Sequence, residues 1–328
     1  MRFYFLLYVC PQNIKLFRDI MFKKGIHFLI GLVSIFSCEA IFAQQESQYS
    51  QYMYNTMIIN PAYTGSRGVP SFFGLYRAQW VGIEGAPKTA TLSFHTPFED
   101  KNVGLGASLY HESIGPQATN TLMVDFSYTL DFDNSKLAFG LKGTAGFYQF
   151  NRNKLNLLYG ADVAFSGNEN VFSPNIGAGV YWYSDNYYLG FSVPYILSSR
   201  TFSSKEKTVS IVNSVQHYHL LGGYVFDVTD DVKFKPAALL KIVKGAPLQA
   251  DLSANFMFNE KFVLGAAYRW SAAVSLMAGF QINQNWFIGY AYDYETTELS
   301  KYNSGSHEIF LRYEFLKDAR RIISPRFF

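Results

Sequence analysis

The stretch "NWFIGYAYDY", Asn285 to Tyr294, decides the fold. Successive side chains of an extended chain point to opposite sides. Trp286, Ile288, Tyr290, Tyr292 and Tyr294 therefore share one face, and Gly289, Ala291 and Asp293 the other. A greasy face backed by a small or wet one over about ten residues is the length and pattern of a strand that crosses lipid within a barrel.

The same alternation recurs along the chain. In Val232–Ile242 the lysines Lys233, Lys235 and Lys241 lie opposite Val232, Phe234, Leu240 and Ile242. In Leu248–Phe256 the polar face is Gln249, Asp251, Ser253 and Asn255. From Pro70 onward period two is nearly unbroken and helical spacing nearly absent. About 14 such segments can be counted, near 70–80, 87–95, 102–113, 118–130, 136–149, 174–184, 186–195, 215–227, 231–242, 247–257, 261–270, 273–282, 285–294 and 306–315. An even number is what a bacterial barrel requires.

The connections supply an independent check. Those after even-numbered segments are short, as at Asp131–Ser135, Asp185 and Asn283-Gln284, whereas Phe150–Ser173, Ile196–Ser214 and Glu295–Gly305 are long. Short periplasmic turns opposite longer extracellular loops are the habit of outer-membrane barrels. A secreted jelly roll or propeller would also alternate. Aromatic pairs at segment ends, Tyr76/Trp80, Tyr181/Tyr183, Tyr268/Trp270 and Tyr290/Tyr292/Tyr294, favour the membrane barrel by suggesting interface girdles.

The first residues have the layout of a secretory signal peptide: Lys23-Lys24, an apolar run from Ile26 to about Ser37, then Ala40 and Ala43 as cleavage candidates. Met21 reads as the start. Residues 1–43 are assigned to the leader, 44–69 to a periplasmic, plug-like segment, 70–315 to the barrel and 316–328 to a tail. The cysteines, Cys10 and Cys38, fall in the leader, so the mature chain holds neither disulfide nor thiolate chemistry. The leader also carries five Lys/Arg and two acids, so of 28 basic and 25 acidic residues 23 of each remain. That balance gives no reason to expect a nucleic-acid partner. The surroundings expected are outer-membrane lipid in a Gram-negative cell.

No constellation points to catalysis. His217 and His219 share a strand face without a third ligand at a telling spacing, and no G-x-S-x-G elbow is present. Gly104-Leu105-Gly106 and Gly177-Ala178-Gly179 lie inside strands, with no helix to receive a phosphate, and read as small lumen-facing residues. Lys235, Lys241, Asp251, Asn255 and Arg269 are the lumen candidates. They either line an aqueous pore or pair across the barrel and with a plug. No enzyme, cofactor or metal site is expected.

The segments "QYSQYMYNTMIINPAYTGSRG" (48–68), "YRAQWVGIEGAPKTATLSFHTP" (76–97), "YYLGFSVP" (187–194), "FKPAALLKIVKGAPLQADLSANF" (234–256), "GAAYRW" (265–270), "IGYAYDY" (288–294), "GSHEIFLRYEF" (305–315) and "SPRFF" (324–328) resemble the PorP/SprF family of outer-membrane proteins of the type IX secretion and gliding machinery. The likeness runs in order over essentially the whole mature chain and departs most at 150–173 and 196–214, where Ala161-Asp162-Val163 lacks an expected proline. It implies a non-enzymatic barrel that works with the secretion machinery and recognises the C-terminal domain of a secreted, adhesin-like surface protein. A general diffusion porin is the alternative.

The opening segment cannot be a ladder strand, since Pro61 lacks a donor and the Asn60-Pro61 and Thr64-Gly65 steps favour turns. It is expected to pack in or under the periplasmic mouth. Tyr52, Tyr54 and Tyr63 would supply flat anchors, and Asn60, Pro61 and Gly65 the shape that meets plug or partner.

Overall fold

The computed structural model describes residues 49–98, 101–151, 154, 168–197, 200–202, 211–213, 216–243 and 246–316. The expected leader, residues 44–48, much of the two long connections and the tail beyond 316 lie outside them.

The alternating segments form strands β1 (Ser71–Ala78), β2 (Lys88–Phe98), β3 (Val103–Ile114), β4 (Gln117–Phe132), β5 (Ser135–Asn151), β6 (Asn168–Tyr183), β7 (Tyr187–Val193), β8 (His217–Tyr224, continued by Phe226–Thr229), β9 (Val232–Val243), β10 (Gln249–Phe258), β11 (Phe262–Arg269), β12 (Ala273–Gln281), β13 (Trp286–Glu295) and β14 (Ser306–Glu314). Each pairs antiparallel with its sequence neighbours, and β1 pairs β14 from Ser71↔Glu314 to Ala78↔His307. The result is a closed 14-stranded barrel. Closure leaves no edge strand, which is what a sheet needs where lipid offers no hydrogen bonds.

The break in β8 has a local cause. Pairing with β9 runs through Gly223↔Ala237, lapses, and resumes at Phe226↔Phe234. Pro236 stands in the gap and has no N–H to give. Val225 turns its own N–H to the Asn186 carbonyl instead, at 2.7 Å.

The connections separate into two ends. At the turn end lie Asp133-Asn134, Ser184–Asn186, Asp230-Asp231 and the left-handed pair Asn259-Glu260, with both chain ends of the barrel beside them. At the loop end lie the longer connections, including 79–87, 194–216 and 296–305. The β3–β4 and β11–β12 hairpins depart from that habit, closed at the loop end by Gly115-Pro116 and by Trp270–Ala272.

Polarity is inverted relative to a soluble protein. Leu141 and Leu276 on the outer face are each 62% exposed, whereas Glu308 and Asn255 on the inner face are 0% exposed. Burial favours the opposite arrangement in water, so the outer face is suited to hydrocarbon. Aromatic rings gather outside near the turn end, where Phe234 meets Phe256 at 4.7 Å and Trp286 meets Tyr313 at 4.6 Å. Tyr76, Tyr268 and Tyr290 face outward as expected, but Tyr181 and Tyr183 do not. Both are buried, because the odd positions of β6 point inward along with Ser173 and Asn175.

Candidate functional site

Three short 3-10 turns, Tyr52–Tyr54, Thr56–Ile58 and Pro61–Tyr63, carry the opening segment through the lumen. Nothing in it can extend as a strand. Pro61 begins its turn where no N–H is needed, and the Asn60 side chain caps that turn by accepting from the Ala62 N–H at 3.0 Å. Gly65 follows with φ of +76°, a conformation that other residues resist. The plug-like segment expected in or under one mouth runs further, inside the barrel and against both halves of the wall.

The wall holds the plug largely by its main chain. Lys142 Nζ donates to the Met57 and Ile58 carbonyls, each at 3.1 Å, while 3.2 Å from Asp125. Ser192 Oγ donates to the Ile59 carbonyl at 2.6 Å and Ser127 Oγ to the Thr64 carbonyl at 2.7 Å. The Ser50 and Gln51 N–H groups donate to the two oxygens of Glu308 at 3.1 and 3.0 Å. Asn60 Nδ2 in turn donates to the Val180 carbonyl at 3.0 Å. These bonds satisfy backbone groups that burial would otherwise leave unpaired.

Close approach is possible because the facing positions are small. A Cβ at Gly140 would fall on the backbone of Ala62, one at Gly104 on the Thr64 carbonyl, one at Gly106 on the Met57 sulfur, and one at Gly179 on the Asn60 amide. The inward glycines are therefore the mould of the plug.

Charge is concentrated at its two ends. At the loop end the Arg77 guanidinium reaches Asp293 at 2.7 Å and Glu308 at 3.1 Å, and Ser50 Oγ donates to Asp293 at 2.6 Å. At the turn end Arg67 pairs with Glu314. Between them aromatic packing is interleaved with the buried Lys142–Asp125 pair, and Tyr54 lies 4.6 Å from the Phe310 ring and 5.5 Å from Phe287. Tyr63 stands edge-on to Tyr181 at 5.6 Å and to His95 at 5.9 Å.

The residues singled out in the sequence fall here. Tyr52, Tyr54, Asn60, Pro61 and Tyr63 are buried in the plug, and the Gly65 N–H donates to His95 Nδ1 at 3.3 Å. Lys235, Lys241, Asp251, Asn255 and Arg269 all face inward and are buried. Lys235 Nζ lies 5.8 Å from the centre of the Tyr54 ring. Arg269 Nε donates to both Asp251 oxygens at 3.1 Å, and its guanidinium also reaches the Tyr49 carbonyl at 3.3 Å. Asn255 and Lys241 take no part in the plug bonds described above. His217 and His219 are buried with their rings perpendicular, 6.4 Å apart. Among the described residues no three His, Cys, Asp or Glu gather as a metal site would require.

Sequence reasoning missed Arg77, Lys142, Glu308 and Glu314, which do most of the gripping. Their signal was strand parity: each is a charged residue on the wet face of its strand.

The family described as type IX secretion system membrane protein PorP/SprF matches residues 41–313. No curated protein matches the chain. Among solved structures, the toluene transporter TbuX of Ralstonia pickettii is similar at 10% identity over 80% of this chain and 94% of that one, with a TM-score of 0.49. A Pseudomonas aeruginosa FadL homologue is similar at 12% identity over 81% and 94%, with a TM-score of 0.47. Omp33 of Acinetobacter baumannii is similar at 11% identity over 75% and 99%, with a TM-score of 0.45.

Proposed function

The chain belongs to the PorP/SprF family of type IX secretion system membrane proteins, and from that premise we propose that this outer-membrane barrel is a non-enzymatic partner of the secretion and gliding machinery. In this reading it recognises the C-terminal domain of a large adhesin-like surface protein and helps to export or anchor it. One observation carries the reading beyond the family: the barrel fills its own lumen. Lys142, Ser127, Ser192 and Glu308, polar groups that could line a path for solutes, are engaged by residues 50–64. A barrel so occupied has its outer wall and its two mouths left for partners.

The test is recovery of partners from detergent-solubilised membranes with a tagged chain, identified by mass spectrometry, beside a planar-bilayer measurement on the same preparation. Secretion components and one large surface protein are expected, with little steady conductance. An open-pore conductance and no secretion component would overturn the reading in favour of a diffusion porin, for which the polar lumen wall is the support.

A further inference from the structure

The turn-end lumen holds more basic groups than the plug uses. Arg312 lies two residues from the end of β14, Lys235 three residues past the start of β9 and Asn255 three residues before the end of β10. All three face inward, at 4%, 1% and 0% exposure. Lys235 and Asn255 are partners across the β9–β10 ladder, so their side chains stand next to each other on the inner face. Aromatic packing brings Arg312 to them. Its guanidinium lies 4.7 Å from the centre of the Phe287 ring, the Phe287 and Tyr54 rings are 5.5 Å apart, and Lys235 Nζ is 5.8 Å from the centre of Tyr54.

Negative charge does not match this gathering. Glu314 is the one carboxylate within ion-pair distance of Arg312 among the described residues, at 3.6 Å, and it already pairs with Arg67. That contact is too long for a hydrogen bond. Arg312 Nε and Nη1 have no hydrogen-bond partner among the described residues, and neither have the oxygen and nitrogen of the Asn255 amide. A guanidinium stacked on a ring keeps its N–H groups along its edge, where they can still donate. Buried donors are rarely left so, and a charged one least of all.

Water would serve the hydrogen bonds but not the charge. Arg67, Arg312 and Lys235 are like charges in a low-dielectric interior, where repulsion is strong. What lies between Arg312 and Lys235 has to be negative and to accept from several donors at once. A guanidinium edge, an ammonium and an amide N–H match the spread oxygens of a phosphate-like ion better than a bare halide.

We propose that the turn-end lumen binds one small oxyanion of the phosphate or sulfate class, held by Arg312, Lys235 and Asn255 where the wall meets Tyr54 of the plug. Entry is from the turn-end mouth, two residues away along β9 at the half-buried Lys233. Because Lys235 stands over Tyr54, the bound ion also tightens the plug against the wall.

Equilibrium dialysis of the purified full chain in detergent against radiolabelled phosphate tests this. One saturable equivalent per chain is expected, displaced by sulfate and not by chloride at the same ionic strength. Arg312→Gln should weaken binding about tenfold or more, as loss of a charged hydrogen bond does, and Asn255→Ala should weaken it less. Limited proteolysis within 52–58 should slow when phosphate replaces chloride in the parent chain and not in Arg312→Gln. Folding of each variant is read from heat-modifiable gel mobility, and if Arg312→Gln does not fold, Asn255→Ala decides. Absence of saturable binding by the folded parent chain would overturn the proposal. So would unchanged affinity in the folded variants, which would put the ion elsewhere. The readout involves this chain alone, so its failure leaves the proposed secretion role standing, and loss of secretion partners leaves the ion site standing in turn.

Discussion

The main chain of Ala62 occupies the space that a side chain at Gly140 would need. Plug and wall meet there backbone to backbone, so the smallest enlargement is felt. Gly140→Ala should cost about 1–3 kcal/mol of plug seating, as overpacking does. The outward face of β5 is untouched, so the barrel should still insert. Limited proteolysis within 58–66, faster in the variant while heat-modifiable mobility is retained, is the expected outcome. Unchanged protection would show that the wall yields.

Arg77 is the sole cation within salt-bridge distance of both Asp293 and Glu308 among the described residues. Arg77→Met would leave two buried carboxylates facing each other, and breaking a buried pair from one side costs about 3–5 kcal/mol. Arg77→Lys should recover only part of that, since one ammonium does not reproduce a guanidinium fork that spans two partners. Urea unfolding of the refolded barrel measures both, and equal stability of the Met and Lys variants would refute the fork argument.

Adjacent positions on β10 point opposite ways, Asp251 buried and Leu252 53% exposed. Leu252→Arg puts a charge toward lipid, at about 2–4 kcal/mol near the bilayer middle, and should reduce the folded fraction. Asp251→Leu should fold and lose function instead, because it frees Arg269 beside Tyr49. If gel mobility showed the reverse, the two faces would have been exchanged.

Tyr63 is 3% exposed between His95 and Tyr181. Truncating a packed aromatic costs roughly 3–5 kcal/mol, here borne by the plug rather than the ladder. Tyr63→Ala should therefore leave the barrel intact and lower the yield of co-purified secretion partners. Full recovery of partners would confine the plug to sealing the lumen.

Much of this was legible in the sequence because lipid imposes a simple rule. Each strand must alternate, as Trp286 to Tyr294 does, and loop parity then orders the ends. The plug's path was not legible. Pro61 and Gly65 excluded a strand, yet nothing local says where a string of turns will lodge. A clue did exist in residues that break the alternation: Phe287, Phe310 and Tyr181 are large apolar side chains on faces that should be wet. An open pore has no use for them, and they become intelligible once Tyr54 and Tyr63 lie against them. The same applies to Tyr181 and Tyr183, whose odd positions put them on the inward face of β6 despite an aromatic type suited to a girdle.

Arg67 with Glu314, and Arg77 with Glu308, join the earliest described part of the chain to its final strand. Both pairs straddle the β1–β14 seam, the last pairing available to a chain that emerges amino-terminus first. The two ends of the plug, Ser50–Gln51 and Arg67, must therefore wait for the final strand even where Lys142, Ser127 and Ser192 already hold its middle. Biogenesis of this barrel is a problem of timing: a chain cut before Ser306 is expected to leave residues 49–51 and 65–67 open to protease even where its earlier hairpins have formed, and a delayed seam would expose the same ends in the intact chain.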